Sequence, residues 1–389
     1  MIKSIRIFKI RGSGEMKSIL FDVDGVFLSE ERCFDVSALT VEELLKSGTF
    51  LGLDKSINFE NMNDELIEEV RNRVFQDDHI LKQLKSMGLN SNWDMLFVVF
   101  SIHFIHILKA LGAQVVNPFL QLKSMSQDDL QHLQTFINKD IEIQYEAPLS
   151  FIKNIESGKA NVYAALEHYA QLQLNLDDTS IFKLKGPLWQ ISREVYQNWY
   201  LGGKLFKEVE NKTPINNQKE GFIYDEIILR PVEEVKTLLH DLQEAGYQLA
   251  IATGRPKTET IVPFEALGLL KYFDKSNIVT ASDVLEAERE YPQYIPLGKP
   301  NPFCYIATLN GNHKPDYKTY ITEQENIVNK EEVYIVGDSL ADLLCAKKID
   351  ATFIGTLTGL KGKEAREELE QYHADYIVDH VGKIRDILL

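Results

Sequence analysis

Short apolar segments alternate with amphipathic segments from about residue 221 onward, and this pattern restricts the fold of the chain more than any other feature. The apolar segments are "YQLAIAT", "SNIVTAS", "EEVYIVGD", "ATFIGT" and "ADYIVD", and helical segments such as "VEEVKTLLHDLQEAG" and "SLADLLCAKKI" lie between them. Nearly continuous apolar strands separated by helices are typical of a parallel sheet that is covered on both faces. We therefore predict an α/β fold with a doubly wound, mostly parallel sheet.

One further predicted strand, "KSILF", lies far upstream of the others. Between them, segments such as "NDELIEEVRNRVFQ" and "NVYAALEHYAQLQL" have apolar residues at helical spacing. We predict a discontinuous core at residues 16–36 and 219–389, an all-helical cap domain inserted at residues 37–218, and an N-terminal extension at residues 1–15. An insertion after the first strand follows the edge where open α/β sheets bind ligands, so we expect the cap to act as a lid.

Charge and cysteine content restrict the partners and the compartment. The 58 Asp and Glu residues outnumber the 42 Lys and Arg residues, which gives a formal net charge of -16 and disfavours nucleic-acid or anionic-membrane partners. Three cysteines without CxxC spacing predict neither a disulfide framework nor a structural zinc site, and favour a cytoplasmic location. The longest apolar segment, "MLFVVFSIHFIHILKALG", is interrupted by His103 and His106, so we predict no membrane span.

Polar motifs follow four of the predicted core segments. They are Asp22-Val23-Asp24-Gly25, Thr253-Gly254-Arg255-Pro256, Lys299 in "LGKPNPF", and Asp338 with Asp342 in "VGDSLAD". Because the carboxyl ends of parallel strands meet at one edge of a sheet, these groups are expected to converge although they are far apart in sequence.

The residue types in these motifs suit phosphate chemistry. A carboxylate can attack phosphorus if a cation reduces its repulsion with the phosphate dianion. Mg²⁺ prefers hard oxygen ligands, and Asp22 and Asp338 provide them. The Thr253 hydroxyl and the Gly254 N–H suit phosphate oxygens at the start of a helix, and Lys299 would stabilise the transferring phosphoryl group.

Each motif taken alone also fits a structural role. The Asp22–Gly25 segment has the composition of a turn with a left-handed glycine. The second motif resembles an ordinary helix entry, and Lys299 resembles an exposed loop lysine. Asp338 and Asp342 would suit the first turn of a helix, where carboxylates interact favourably with the helix dipole. The combination of all four, each at a strand end, favours a functional site.

The motif set, in this order, resembles the haloacid dehalogenase superfamily of phosphotransferases, over Met16 to about Cys33 and about Gly221 to Leu389. The resemblance implies that Asp22 is the nucleophile and a metal ligand, and that Asp338 completes the protein ligands. It also implies that Asp24 contributes its backbone carbonyl to the metal and its carboxyl to general acid/base catalysis. Asp342 would support the metal directly, through water, or through Lys299.

Asp24 also separates two branches of this superfamily, because cleavage of a carbon–halogen bond leaves no oxygen that needs a proton. The sequence therefore favours a Mg²⁺-dependent phosphatase that acts on a small phosphorylated metabolite, with no indication of oligomeric state. Two alternatives stay open at this point. One is a phosphomutase that uses the same site, and the other is a catalytically silent protein that binds a metabolite.

Three further features concern the helical cap, the second motif and the loops of the core. His103 and His106 lie at helical spacing without an evident third ligand, so we interpret them as ordinary residues of the cap helices. Arg255 is either a surface arginine or a contact to a second anionic group of the substrate. The segments around 285–298 and 311–330 are predicted to be long loops of the core.

Overall fold

The computed structural model describes residues 17–60, 62–89, 91–137, 141–324 and 332–389, so the predicted extension at residues 1–15 lies outside the described residues. The chain divides into two compact units. One unit runs from Glu30 to Ile227, and the other ends at Ser29 and resumes at Ile228. In this division residues 30–36 and 219–227 fall in the helical unit, where an ion pair joins Arg32 to Asp225 at 2.7 Å. The predicted domain boundaries stay a prediction.

The core unit is built on a six-stranded sheet, and its strand order and direction confirm the predicted fold class. The strands follow the order β3-β2-β1-β4-β5-β6, and every neighbouring pair is parallel. They are β1 (Lys17–Phe21), β2 (Tyr247–Ala252), β3 (Ile278–Val279), β4 (Val333–Gly337), β5 (Thr352–Thr356) and β6 (Tyr376–Val378).

The central strand β1 is buried on both faces, which explains its unbroken apolar sequence. Ile19 and Phe21 belong to one apolar cluster, whereas Leu20 belongs to another, as expected for side chains that alternate across a strand. All three side chains are fully buried. The chain thus changes from apolar to acidic at Asp22, where the strand ends at the edge of the sheet.

Helices of the core unit connect the strands and cover the sheet. They are α10 (Val232–Glu244), α11 (Lys257–Ala266), α12 (Ala281–Glu290), α13 (Phe303–Leu309), α14 (Tyr317–Thr322), α15 (Leu340–Lys348), α16 (Ala365–Gln371) and α17 (Arg385–Leu388). The predicted long loops are partly wrong, because α12 and α14 lie in them. Tyr317 and Tyr320 of α14 are buried in the apolar cluster of the core, which offsets the cost of ordering a polar segment of the chain.

The unit from Glu30 to Ile227 is helical throughout its described secondary structure. Its helices are α1 (Glu31–Lys46), α2 (Asp64–Phe75), α3 (His79–Ser86), α4 (Asn92–Leu111), α5 (Ala113–Leu120), α6 (Gln127–Gln134), α7 (Ala147–Ile152), α8 (Lys159–Leu174) and α9 (Pro187–Glu210). Its predicted function as a lid stays a prediction.

Two helices of this unit have unusual sequences. Helix α9 is interrupted at Gly202, whose positive φ of 76° and close approach to the Glu220 backbone suit a residue without Cβ. Helix α4 is long and apolar enough to cross a membrane by length and composition. Because 72% of its most apolar window is buried in the unit, it also has the character of a core helix of a soluble domain.

Candidate active site

Asp22 lies immediately after β1, the strand at which the two halves of the sheet meet. Its backbone N–H donates a hydrogen bond to the Val336 carbonyl at 2.9 Å, which extends the β1–β4 pairing by one residue. Its carboxylate Oδ1 accepts a hydrogen bond from the Val23 N–H at 2.8 Å. Only 8% of Asp22 is exposed, so the carboxyl group is held in one orientation in a nearly dry environment.

Lys299 joins Asp22 to a second buried carboxylate. Its Nζ lies 2.9 Å from Asp22 Oδ2 and 2.8 Å from Asp342 Oδ1. The Tyr305 hydroxyl donates to Asp342 Oδ1 at 2.8 Å, and the Ser339 hydroxyl donates to Asp342 Oδ2 at 2.7 Å. Asp342 is fully buried, so these donors compensate its charge and fix the position of Lys299.

The pKa values of Asp22, Asp342 and Lys299 are shifted in different directions and for different reasons. Burial raises the pKa of Asp22 to about 7, and the attraction to Lys299 opposes this shift. Burial also acts to raise the pKa of Asp342, but the ion pair with Lys299 and the donated hydrogen bonds hold it below its usual range. Burial favours the neutral form of Lys299, yet Asp22 and Asp342 raise the pKa of its ammonium group well above the ordinary value.

A set of carboxylates at this edge fits a divalent cation. One oxygen from each of Asp22, Asp338 and Asp342 lies within 4.8 Å of the others. Carboxylate oxygens are the ligands that Mg²⁺ prefers, and it usually takes only one or two of them from the protein. Lys299, Tyr305 and Ser339 already contact the Asp342 carboxylate. The predicted metal binding by Asp22 and Asp338 stays a prediction. The predicted contribution of the Asp24 carbonyl stays a prediction.

Glycines leave room for the Asp338 side chain. A Cβ on Gly25 or on Gly359 would overlap the Asp338 carboxyl group. Gly25 also has a φ of 70°, which disfavours other residues. The Thr356 and Thr358 hydroxyls both donate to the Gly25 carbonyl, at 2.9 and 2.5 Å, and so fix the turn after β1.

The second motif lies at the end of β2, next to β1 in the sheet. The Thr253 N–H donates to the Val279 carbonyl at 3.0 Å, and Thr253 Oγ1 accepts a hydrogen bond from the Arg255 N–H at 3.1 Å. Because Oγ1 accepts this bond, its own O–H can be donated to another acceptor. Gly254 is exposed at the same edge. The phosphate-binding function of Thr253 and Gly254 stays a prediction.

The expectation of a surface arginine at position 255 is wrong, whereas a contact of Arg255 to the substrate stays a prediction. The residue precedes α11 and is buried, with 4% exposure, so it is not a surface arginine. Its guanidinium group contacts a protein carboxylate, with Nε 2.7 Å and Nη2 2.6 Å from Asp24 Oδ1. This pairing has a structural cause, since Asp24 and Arg255 follow adjacent strands and meet at the same edge.

Sequence reasoning missed several residues of this site. Gly359, Thr356 and Thr358 carry a usable signal, because "TLTG" follows the apolar segment of β5 as the other motifs follow theirs. Tyr305 carries none, because an aromatic residue on a short helix more often belongs to a core.

The two histidines of α4 contact residues of their own helical unit. His103 is 2% exposed, and His106 Nε2 forms a hydrogen bond with the Tyr169 hydroxyl at 2.8 Å. This agrees with their interpretation as ordinary residues of the helical unit.

Comparison with known proteins relates this arrangement to a family. The chain is 25% identical over 155 residues to a phosphoglycolate phosphatase of Vibrio cholerae, which covers 40% of this chain and 55% of that protein. A phosphoglycolate phosphatase of Vibrio parahaemolyticus is 26% identical over 154 residues, covering 40% of this chain and 54% of the relative. The chain thus spans about half the length of these curated relatives.

A crystal structure from the Northeast Structural Genomics Consortium is 59% identical, with a TM-score of 0.87, and the match covers 96% of this chain and 98% of that one. A sequence model described as haloacid dehalogenase-like hydrolase matches residues 152–350. That range includes Thr253, Lys299 and both aspartates of the fourth motif, whereas Asp22 and Asp24 lie before it. The match covers just over half of the 389 residues, and the chain belongs to the haloacid dehalogenase-like hydrolase family.

Proposed function

We propose that the protein is a Mg²⁺-dependent phosphatase that hydrolyses a small phosphorylated metabolite through an aspartyl-phosphate on Asp22. The observation that carries this proposal is the position of Asp22. Its carboxylate lies at the end of the central strand, 2.9 Å from the Lys299 ammonium and within 4.8 Å of the Asp338 and Asp342 carboxylates.

Asp22 and Asp338 would hold the Mg²⁺ ion, which supplies positive charge that reduces repulsion between the nucleophile and the phosphate. A carboxylate near neutral pH is a weak nucleophile, so its orientation matters. The Val23 N–H and Lys299 fix the two oxygens of Asp22 from different sides. The Thr253 hydroxyl and the Gly254 N–H would donate hydrogen bonds to the phosphoryl oxygens.

The reaction takes two steps. A carboxylate oxygen of Asp22 forms a bond to phosphorus while the bond from phosphorus to the ester oxygen breaks, and Asp24 gives its proton to the departing oxygen. Asp24 then takes a proton from water as that water attacks phosphorus, which releases inorganic phosphate and restores the Asp22 carboxylate. Asp24 ends protonated, as it began, so one carboxyl group serves both steps.

Three buried free cysteines within the described residues fit a reducing compartment, and we place the enzyme in the cytoplasm. For the substrate, the names of the two Vibrio relatives make phosphoglycolate the first metabolite to assay. A small anionic phosphomonoester also suits a site where Lys299 provides local positive charge on an acidic protein.

The test is phosphate release from an aryl phosphate and from a panel of phosphorylated metabolites, with Mg²⁺ and with chelator. We expect turnover with Mg²⁺ only, and none in the Asp22→Asn variant. Asp379→Asn is the matched control, because that side chain is 70% exposed in the same unit. Unchanged turnover in Asp22→Asn would remove the proposed nucleophile, and formation of an isomeric sugar phosphate without phosphate release would indicate the phosphomutase alternative.

A further inference from the structure

We infer that Arg255 is a positioning residue that orients the Asp24 carboxyl for proton transfer, an inference that rests on the proposed function. Both Nε and Nη2 of Arg255 contact the same oxygen, Asp24 Oδ1, at 2.7 and 2.6 Å. Arginine stays charged at any pH at which proteins fold, so it can hold a carboxyl oxygen without exchanging a proton with it. The other oxygen, Oδ2, is the one that we assign to proton transfer.

Arg255 is itself held in place by the surrounding backbone. Its N–H donates to Thr253 Oγ1 at 3.1 Å, and its carbonyl accepts a hydrogen bond from the Ala281 N–H at 2.9 Å. The guanidinium group makes longer contacts to the carbonyls of Glu259 and Ser29, at 3.5 and 3.4 Å. The guanidinium group therefore has a defined position, and its two contacts to Asp24 Oδ1 restrict the position of that carboxyl group.

The backbone of Asp24 is also fixed. Asp24 forms an isolated parallel bridge with Leu28, and the Gly25 N–H donates to the Leu28 carbonyl at 2.9 Å. Only the side-chain torsions of Asp24 are then left to be set. A general acid must lie within about 3 Å of the oxygen that it protonates, so fixing these torsions has a direct effect on rate.

Substrate binding is the competing function for Arg255, and its surroundings disfavour it. Arg255 is 4% exposed, whereas the Asp24 side chain is 26% exposed. Asp24 is therefore the more accessible of the two side chains, and little of the guanidinium group is open to a substrate.

The experiment measures kcat/KM for a series of aryl phosphates from dinitrophenyl phosphate to unsubstituted phenyl phosphate. The slope of interest is that of log kcat/KM against the pKa of the departing phenol. General acid catalysis is needed most by the poorest leaving group, so it changes this slope rather than lowering kcat/KM equally for all esters. We expect Arg255→Gln to lower kcat/KM roughly 100-fold for phenyl phosphate and less than about 5-fold for dinitrophenyl phosphate. Asp24→Asn should show the same steep slope, and Arg255→Lys, which keeps one charged donor, an intermediate slope.

The matched control is Arg230→Gln, because Arg230 forms an ion pair with Glu234 on the surface of the same unit. Its slope should equal that of the wild type. A uniform loss across the series in Arg255→Gln, or a wild-type slope, would overturn the inference. If Arg255→Gln does not fold, the slope of Arg255→Lys decides in the same way.

A double variant separates positioning from other effects. In an Asp24→Asn background, Arg255→Lys should cause no further loss with phenyl phosphate, since the group that it positions is already gone. A further loss of equal size would contradict the inference.

A wild type inactive on all esters, or an active Asp22→Asn variant, would instead overturn the proposed function. If the wild type is active and Asp22→Asn is inactive, an unchanged slope in Arg255→Gln overturns only the inference on Arg255 and leaves the proposed function standing.

Discussion

The Lys299 ammonium forms a 2.8 Å ion pair with the fully buried carboxylate of Asp342. The same ammonium lies 2.9 Å from Asp22 Oδ2, so Asp342 fixes the cation that the proposed nucleophile requires. A buried ion pair contributes little net stability compared with apolar residues, but removal of one partner leaves a buried charge without compensation. Asp342 therefore serves the geometry of the site at some cost to the fold.

The first prediction concerns Asp342→Asn, which keeps the size of the side chain and removes its charge. We expect the free energy of unfolding to fall by roughly 2–4 kcal/mol, because Lys299 keeps only one of its two carboxylate partners. The measurement is denaturant unfolding in chelator, so that no metal contributes. Ser339→Ala is the control, since it removes one hydroxyl donor to Asp342 and should cost only about 1 kcal/mol. Equal stability of Asp342→Asn and wild type would refute the anchoring function.

The second prediction concerns metal binding without reference to activity. A ligand that binds only the folded state stabilises it by about 2.7 kcal/mol at 100 times its dissociation constant. We expect Mg²⁺ to raise the melting temperature of the wild type and of Asp379→Asn, and to leave that of Asp338→Asn unchanged. Sodium chloride at matched ionic strength controls for screening of surface charges. An equal rise in Asp338→Asn would place the cation elsewhere.

The positions of the predicted strand ends explain which residues of this site can be grouped from the sequence alone. Parallel strands place the residues that follow them at one edge, so the order of apolar segments and polar motifs is enough to group Asp22 with Asp338 and Asp342. The expectation that Lys299 also stands at a strand end is wrong, because α12 separates it from β3 and it lies in the segment before α13. The direction in which each side chain points cannot be predicted in the same way, because it depends on the turn that follows the strand. Arg255 turns into the protein and pairs with Asp24, and no property of "TGRP" alone indicates this.

Packing between distant segments accounts for the other differences. Helix α9 has a Gly-Gly pair in its sequence and is interrupted there: Gly202 has a non-helical backbone conformation, and the Glu220 backbone lies where a Cβ on Gly202 would be. The helical unit likewise contains a contact between Arg32 and Asp225, which are 193 residues apart in the sequence.

The third prediction tests the space that Gly359 leaves for Asp338. A Cβ at this position would overlap the Asp338 carboxyl, and the φ of Gly359 is one that other residues adopt, so Gly359→Ala acts by displacing that carboxyl. We expect loss of the melting-temperature rise with Mg²⁺ and loss of most phosphatase activity. Gly48→Ala is the control, because its Cβ would contact only the Lys55 side chain at 3.7 Å. A Gly359→Ala variant with wild-type Mg²⁺ response would show that Asp338 tolerates displacement.

The last prediction concerns the helical unit and pH. His103 is 2% exposed, its Nε2 has no hydrogen-bond partner among the described residues, and its ring lies 5.8 Å from that of Tyr145. Burial, with a smaller contribution from His106, lowers the pKa of His103 from 6.5 to about 3. The imidazole is thus predominantly neutral in the folded protein at neutral pH.

Between pH 6.5 and about 3 the unfolded chain binds a proton at His103 that the folded protein does not bind, so stability must fall as the pH falls. The slope from this residue alone is on the order of 1 kcal/mol per pH unit. We expect His103→Gln to lose stability at neutral pH but to decline less steeply on acidification, measured by denaturant unfolding at a series of pH values. His168→Gln, at an exposed position on α8, should keep the wild-type slope. Parallel pH profiles for His103→Gln and wild type would mean that His103 does not resist protonation in the folded state.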